Sequence, residues 1–497
     1  MLTRTPGIFL LFFLSFAFAV YAYSVDLEYG WDREDMRVRT LKGYDYLGVE
    51  GSIFPNTTLG EISDLRIIPG GYKVDSFEVL REEWEEIGTG YRVGAISDGV
   101  AEAMMAEDAG GLENVVAGDL LGYGVINSVV KPFRYQEGRV SMLKRLDVRV
   151  SCSPDENALT VGRRSEILNG HLGELVAELA GTEAAGQGDW LVEGSRDWVS
   201  ESPTMDGGVV DCIIVTDDAL VSEFETLAAW HDRFGIRTVV RTVSWIDSEY
   251  PGGDSPERVR NFLKDAYQNW GTVYVLMGGA PDIVPIRYAW TNHYGGAFIP
   301  TDLYYANLDG NWNADGNDIF GEFTDEVTFY PNLLLGRAPV KTPAEAQIFV
   351  NKTISYVTEV DPEFITSSAF LGEVIFPEDW TPGDDIYLDG GVICDSAAAY
   401  LPAYYDTLKL YQRFGDMNRT TCIQALDHGY AFNVIAGHGD AFRTSAAEGT
   451  PPFIALADFD TLANDKRFGF IYALNCNNAA VDVDCVFRHY LMNPTGG

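Results

Sequence analysis

The chain has 497 residues, of which 46% are hydrophobic and 13% aromatic, more than a single hydrophobic core organises, so about two to four domains are expected. Acidic residues outnumber basic ones 74 to 35, giving a formal net charge of −39. Such a surface serves solubility and repels phosphate, which excludes nucleic acid as a partner.

The first 22 residues read as a secretory signal peptide. Arg4 supplies the positive end, Ile8–Val20 the apolar core and Val20-Tyr21-Ala22 a small-residue cleavage site. The apolar stretch is short for a membrane span, and an uncleaved anchor is the alternative. No second long apolar run follows. The mature chain is therefore expected to be exported, secreted or held at the cell surface, with no membrane span once the signal is removed.

Residues 23–200 alternate short β-type runs with turns, as at Ser63–Ile68, Tyr72–Glu78 and Leu146–Val150, which predicts a mainly β region. Arg163-Arg164 and Arg196 are processing points if that region is an inhibitory prosegment. Residues 201–208, polar with Pro203 and paired glycines, form the linker. Beyond it the rhythm becomes strand–helix alternation, first over 209–365 and again over 366–497. Strands are predicted at Val209–Thr216, Arg237–Val243, Val273–Met277, Ala369–Ile375 and Tyr405–Leu410. Helices are predicted at Leu220–Phe234, Pro256–Asn269, Val392–Leu401 and Arg419–Asp427. Alternation of this kind means right-handed βαβ units, parallel sheets and an α/β fold class.

Six cysteines are scattered without a CxxC pair, so neither a dense disulfide framework nor a structural zinc site is indicated. Cys212, inside VVDCIIV, reads as a buried free thiol, and Cys485 as a thiol buried by the following helix.

Two further apolar strands, Phe432–Ala436 and Phe468–Leu474, run into Gly437-His438-Gly439-Asp440 and Asn475-Cys476-Asn477-Asn478. In an open α/β sheet, function collects beyond the carboxyl ends of the strands. A thiol is mostly protonated at neutral pH and needs an adjacent imidazole to become a nucleophile. Cys476 is therefore the candidate nucleophile and His438 the base that later protonates the leaving amine. Taken singly, the histidine reads as structural and the cysteine as half of a disulfide. It is their placement at consecutive strand ends that favours acyl transfer.

From Val209 onward the chain resembles the gingipain family of cysteine peptidases. The resemblance is carried by IIVTDD at 213–218, VYVLMGGAPDIVP at 273–285, PTDLYYANLDG at 300–310, LLLGRAPVKTPAEA at 333–346, VIAGHGD at 434–440 and IYALNC at 471–476. It implies a caspase-like parallel-sheet sandwich with helices on both faces, made of two α/β subdomains, with the catalytic one at 366–497. VVKPFRY and LDVRVSC look like the end of a β prodomain, so the region before the linker is expected to make the protein a zymogen. The resemblance also implies an oxyanion hole from the backbone N–H groups of Gly439 and Cys476, and Glu373 as the acid orienting His438. It places Asp389 near a pocket carboxylate, so that cleavage follows Arg or Lys. A solvated loop carboxylate is the plainer reading of Glu373.

Asp309, Asn311, Asn313, Asp315 and Glu322 place oxygen ligands around Gly316 in a spacing suited to calcium as a structural ion. The loop departs from an EF-hand at its first ligand, which is Asn, and an ordinary Asx-turn loop is the equal alternative. Calcium sites occur among the family's members. Asp302 reads as a structural hydrogen-bonding residue. No cofactor is expected for the chemistry.

The sequence stops at LMNPTGG, where the resemblance implies a further strand, so the catalytic subdomain is expected to be truncated, with a C-terminal or surface-anchoring domain missing beyond it. Three readings of function stand at this point. The first is a secreted cysteine endopeptidase acting on proteins or peptides. The second is a sortase-like transpeptidase of the same superfamily that attaches exported proteins to the cell surface. The third is a catalytically silent, calcium-stabilised envelope or adhesion protein.

Overall fold

A computed structural model describes residues 23–180 and 208–497. The first range has breaks at 42–43, 50–58, 60, 69, 98–99, 105–107, 156–157, 160, 162–163 and 165. The second has breaks at 292–295, 326, 360–361 and 445–451. The expected signal peptide, the linker up to residue 207, Arg163 and Arg196 lie outside the described residues.

The N-terminal region packs two antiparallel sheets against a shared core that includes Leu27, Ile68, Ile126, Val130, Leu146 and Val148. Its backbone is a pair of long strands, Tyr72–Thr89 and Arg139–Pro154, joined along almost their whole length with four register shifts. The first continues well past the expected end at Glu78. Its second half, REEWEEIGT, is acidic, and glutamate is locally disfavoured in strands. Pairing with a long partner overrides that preference, and cross-strand pairs such as Arg139–Glu86 at 3.0 Å support it. A helix at Glu166–Leu179, not expected in this region, buries Leu168, Leu172 and Val176.

From residue 208 the chain forms two parallel four-stranded sheets. The first contains β1 (Cys212–Thr216), β2 (Thr238–Thr242), β3 (Tyr274–Gly278) and, after a hairpin of β4 (Arg287–Thr291) and β5 (Ala297–Thr301), β6 (Leu334–Ala338). Its order is β2-β1-β3-β6. All five residues of β1 are buried, as a central strand requires. Helix α1 (Val221–Arg233) packs on one side with α2 (Pro343–Thr358). A helix at Ser255–Asp265, N-capped by the Asp254 side chain, covers the other. It widens into a π turn at Ala266–Trp270, closed by Gly271 at φ 74°.

The second sheet contains β7 (Ser367–Gly372), then helix α3 (Gly390–Ala398), β8 (Asp406–Tyr411), helix α4 (Arg419–His428), β9 (Phe432–Ala436) and β10 (Phe470–Leu474). Its order is β8-β7-β9-β10. Helix α3 lies on one face over Phe370 and Val434. The opposite face is covered by α4, by Phe459 and by helix α5 (Val486–Met492). Strand order reverses between β7 and β9, the switch point at which an α/β sheet opens a crevice beyond its carboxyl ends.

The N-terminal region docks on the first of these sheets. The Leu121 N–H donates to the Pro331 carbonyl at 2.9 Å, and Asn332 Nδ2 to Asp119 Oδ1 at 3.1 Å. Leu120, Leu121, Tyr123 and Val125 share an apolar seam with Val273, Tyr330 and Leu334. Arg164 is buried there: its Nη1 donates to the Leu121 carbonyl at 2.7 Å and its guanidinium lies over the Tyr267 ring. That burial withdraws Arg164 as an accessible processing point in this arrangement.

Candidate active site

Gly372, Ala436 and Leu474 form one row across β7, β9 and β10. His438 and Cys476 are each the second residue beyond that row, on adjacent parallel strands, which lie about 4.8 Å apart. Glu373 is the first residue beyond it on β7. Register alone therefore gathers the three at one end of the sheet.

The loops leaving these strands are tied to one another. Gly437 N–H donates to the Leu474 carbonyl at 3.2 Å, and Asn475 Nδ2 to the His438 carbonyl at 2.7 Å. Asn478, buried, donates to the carbonyls of Asp440 and Arg443 and accepts from Thr444 Oγ1 at 2.7 Å. A Cβ at Gly439 would sit 2.7 Å from Asn478 Nδ2 and 3.1 Å from the Cys476 carbonyl oxygen. Glycine is the residue that lets the two loops approach this closely. Asn477, with φ 55°, turns the chain sharply after the nucleophile, in a conformation asparagine tolerates better than most residues.

The Cys476 thiol is exposed and unpaired. The His438 imidazole Nε2 lies 2.7 Å from the Ile375 carbonyl oxygen. A carbonyl only accepts, so Nε2 carries the proton and Nδ1 keeps the lone pair that a base needs. The Phe376 ring stands edge-on to the imidazole at 5.7 Å and limits its rotation. Glu373 is buried, and its Oε2 accepts the His438 backbone N–H at 2.7 Å. The carboxylate thus holds the loop that carries the base, and a main-chain carbonyl orients the ring. The Ile375 carbonyl, Asn475 and Asn478 were not singled out from the sequence. The run of asparagines around Cys476 was the available signal for the last two.

Asp389 lies beside Val374 in a short antiparallel pairing and caps the N-terminus of α3. It is buried. Oδ1 accepts from Gly391 N–H at 2.7 Å, and Oδ2 from Arg413 Nη1 at 2.6 Å. Arg413 also reaches Asp395 at 2.9 Å and stacks on Tyr411 and Phe414. The carboxylate expected to receive a substrate cation already has an internal one.

The loop that carries the five expected calcium ligands is closed by its own hydrogen bonds. Asp309, half-buried, accepts from Asn307 Nδ2 at 3.3 Å and donates its backbone N–H to Asn332 Oδ1 at 3.4 Å. Asn311 and Asn313 accept backbone N–H groups, while Asp315 and Glu322 share the Asn317 amide. Asp325, buried at the loop's centre, takes three more backbone N–H groups. Asx-turn hydrogen bonds close the loop, and among the described residues no three His, Cys, Asp or Glu side chains converge as metal ligands. Asp302 holds Arg337 through both oxygens at 2.7 Å. All six cysteines are free, and burial pushes the thiols of Cys212, Cys394 and Cys422 up to about 12.

Among solved structures, the complex of RgpB pro- and mature domains from Porphyromonas gingivalis is 19% identical, with a TM-score of 0.44, over 57% of this chain and 62% of that one. The Arg-specific cysteine proteinase gingipain R is 18% identical, with a TM-score of 0.44, over 57% of this chain and 60% of that one. The dimeric latent PorU of the same organism is 14% identical, with a TM-score of 0.25, over 69% of this chain and 35% of that one. The chain thus spans about three-fifths of the length of the first of these structures. Comparison with curated protein sequences gives no match. The profile of peptidase family C25 matches residues 206–497, the whole of the two-sheet region. The chain belongs to peptidase family C25.

Proposed function

We propose that the chain is a cysteine endopeptidase acting on protein or peptide substrates. One observation carries the reading: His438 and Cys476 sit at equivalent positions beyond adjacent parallel strands, with the imidazole Nε2 engaged by the Ile375 carbonyl at 2.7 Å. His438 Nδ1 takes the Cys476 proton as sulfur attacks the scissile carbonyl carbon. The oxyanion develops against the backbone N–H groups of Gly439 and Cys476. The C–N bond breaks, Nδ1 returns the proton to the leaving amine, and a thioester remains. Water, deprotonated by His438, then attacks the thioester and releases the acid and the thiol.

Preference for Arg or Lys is a refinement of the same reading. It requires Asp389 to exchange Arg413 for the substrate's cation. Export through the segment at 1–22 and latency imposed by the docked N-terminal region complete the proposal. The shared apolar seam supports the latter. Among the described residues no helix is long and apolar enough to cross a membrane.

A peptide library digested by wild type and by Cys476→Ala, with and without a primary amine, tests these statements together. Cleavage lost in the variant is expected, with free carboxyl products whether or not amine is present. Amine-capped products as the majority would move the assignment to transpeptidation. Equal cleavage after neutral and basic residues would remove the role of Asp389.

A further inference from the structure

We propose that the outward face of the β4–β5 hairpin is a substrate-binding wall that receives apolar side chains of the polypeptide flanking the scissile bond. The inference rests on the peptidase reading above. Antiparallel register sets Tyr288 opposite Pro300 and Trp290 opposite Phe298, so these four share one face of the hairpin. On the other face the β4 strand is fastened to the body of the protein, while Ile299 of β5 stays 46% exposed. Ala289 is buried there, and Arg287 is forked onto Asp254 at 2.8 Å and lies 3.8 Å from the centre of the Phe320 ring.

Among the described residues, the outer face has no such cover. Tyr288 is 42% and Phe298 53% exposed. The Trp290 and Phe298 rings meet edge to face at 5.0 Å. Gly296, at φ +99°, leaves room for the indole, which a Cβ there would meet at 2.5 Å. On a chain of net charge −39, an aromatic slab held open to solvent marks a contact surface. Because β4 is already anchored through Arg287 and Ala289, binding would order little of that strand.

Its position commits it to substrate. Tyr288 Oη donates to Asp482 Oδ2 at 3.1 Å, across 194 residues of sequence. Asp482 lies on the turn that leaves Cys476, and the next residue, Val483, is also exposed. The slab thus begins at a hydrogen bond to the nucleophile's own loop, and a chain lying across the thiol would continue along it.

The test uses the full-length protein, before and after limited trypsin treatment to relieve the proposed latency, and internally quenched peptides that share one scissile bond. Each carries Phe or Gly at one position up to about four residues on either side, a span of roughly 13 Å at the rise of an extended chain. At one or more positions beyond the scissile pair, Phe is expected to raise kcat/KM about tenfold over Gly, the scale of one buried apolar contact. Phe298→Ser and Tyr288→Ser should each cut that ratio to about twofold. Phe234→Ser, which removes an exposed aromatic at the far end of α1, should leave it intact and controls for general damage. A flat Phe/Gly profile, or a ratio that survives both hairpin variants, overturns the wall. So does a shift in oligomeric state of Phe298→Ser with no change in the ratio, because the face would then serve a second copy. If no peptide is cleaved, either by the full chain or after limited trypsin treatment that relieves the proposed latency, while iodoacetamide still alkylates Cys476, the peptidase reading itself has failed and the wall with it.

Discussion

His438 has one nitrogen available to act as a base, because the Ile375 carbonyl engages the other. Replacing His438 with Ala should therefore reduce kcat by about 10²–10⁴, the contribution of a positioned proton acceptor, as read by hydrolysis of a peptide substrate. Asn478→Ala tests the scaffold beneath the site. It strands the carbonyls of Asp440 and Arg443 and the Thr444 hydroxyl, so a stability loss of about 2–4 kcal/mol is expected in urea unfolding, alongside weaker activity. Unchanged stability with unchanged activity would remove Asn478 from the account. Cys476 and His438 were legible in the sequence because each follows a short apolar strand and carries the only side chain there suited to acyl transfer. The Ile375 contact was not, since a main-chain carbonyl leaves no mark on residue identity. Nor was the Arg413–Asp389 pair, whose members are 24 residues apart and meet only through the packing of α3 against the sheet.

At the scale of elements, the strands that deliver the site agree with their sequence pattern most closely where both faces are buried. Strand β9 has the expected ends. Strand β10 begins two residues later than expected, at Phe470, and as the edge of its sheet it exposes Phe470, Tyr472 and Leu474 on one face. The acidic half of Tyr72–Thr89 was illegible for the opposite reason, because only its partner strand makes it extended. The first sheet depends on a polar fastening that its motifs did contain: Asp302, in PTDLYY, holds the buried Arg337, in LLLGRAP. Asp302→Ala leaves that guanidinium without its counter-ion and is expected to cost about 3–5 kcal/mol, measured by chemical denaturation. A loss below about 1 kcal/mol, the range of exposed pairs, would show that solvent reaches the site.

At the scale of the whole molecule, the seam between the N-terminal region and the peptidase region carries a titratable group. Asp119 faces Asp309 across the seam, with Arg164, Tyr267 and Asn332 around it. Burial, reinforced by the Asp309 charge, pushes its carboxyl up to about 7, and burial likewise pushes Asp309 up to about 6. A carboxyl raised from 3.8 binds a proton in the docked state that it would release when freed. Its contribution to docking is therefore fully present below pH 3.8 and is lost as the pH rises through about 7. Asp119→Asn keeps an oxygen that can accept from Gly122 and Asn332 while removing the titration. The thermal midpoint of the variant should exceed that of wild type by a margin that widens from about pH 4 to 7 and then levels. A constant margin would place the Asp119 proton elsewhere.

The central claim is that His438 activates Cys476, and thiol labelling tests it without requiring a substrate. The rate of Cys476 alkylation by iodoacetamide would be measured against pH in full-length wild type and in His438→Ala, with the adduct located by mass spectrometry. The account predicts rapid Cys476 labelling at neutral pH in wild type. In the variant, labelling should be at least about tenfold slower there and recover only as the pH approaches the ordinary thiol range near 8.5. Identical pH profiles for the two proteins would contradict it.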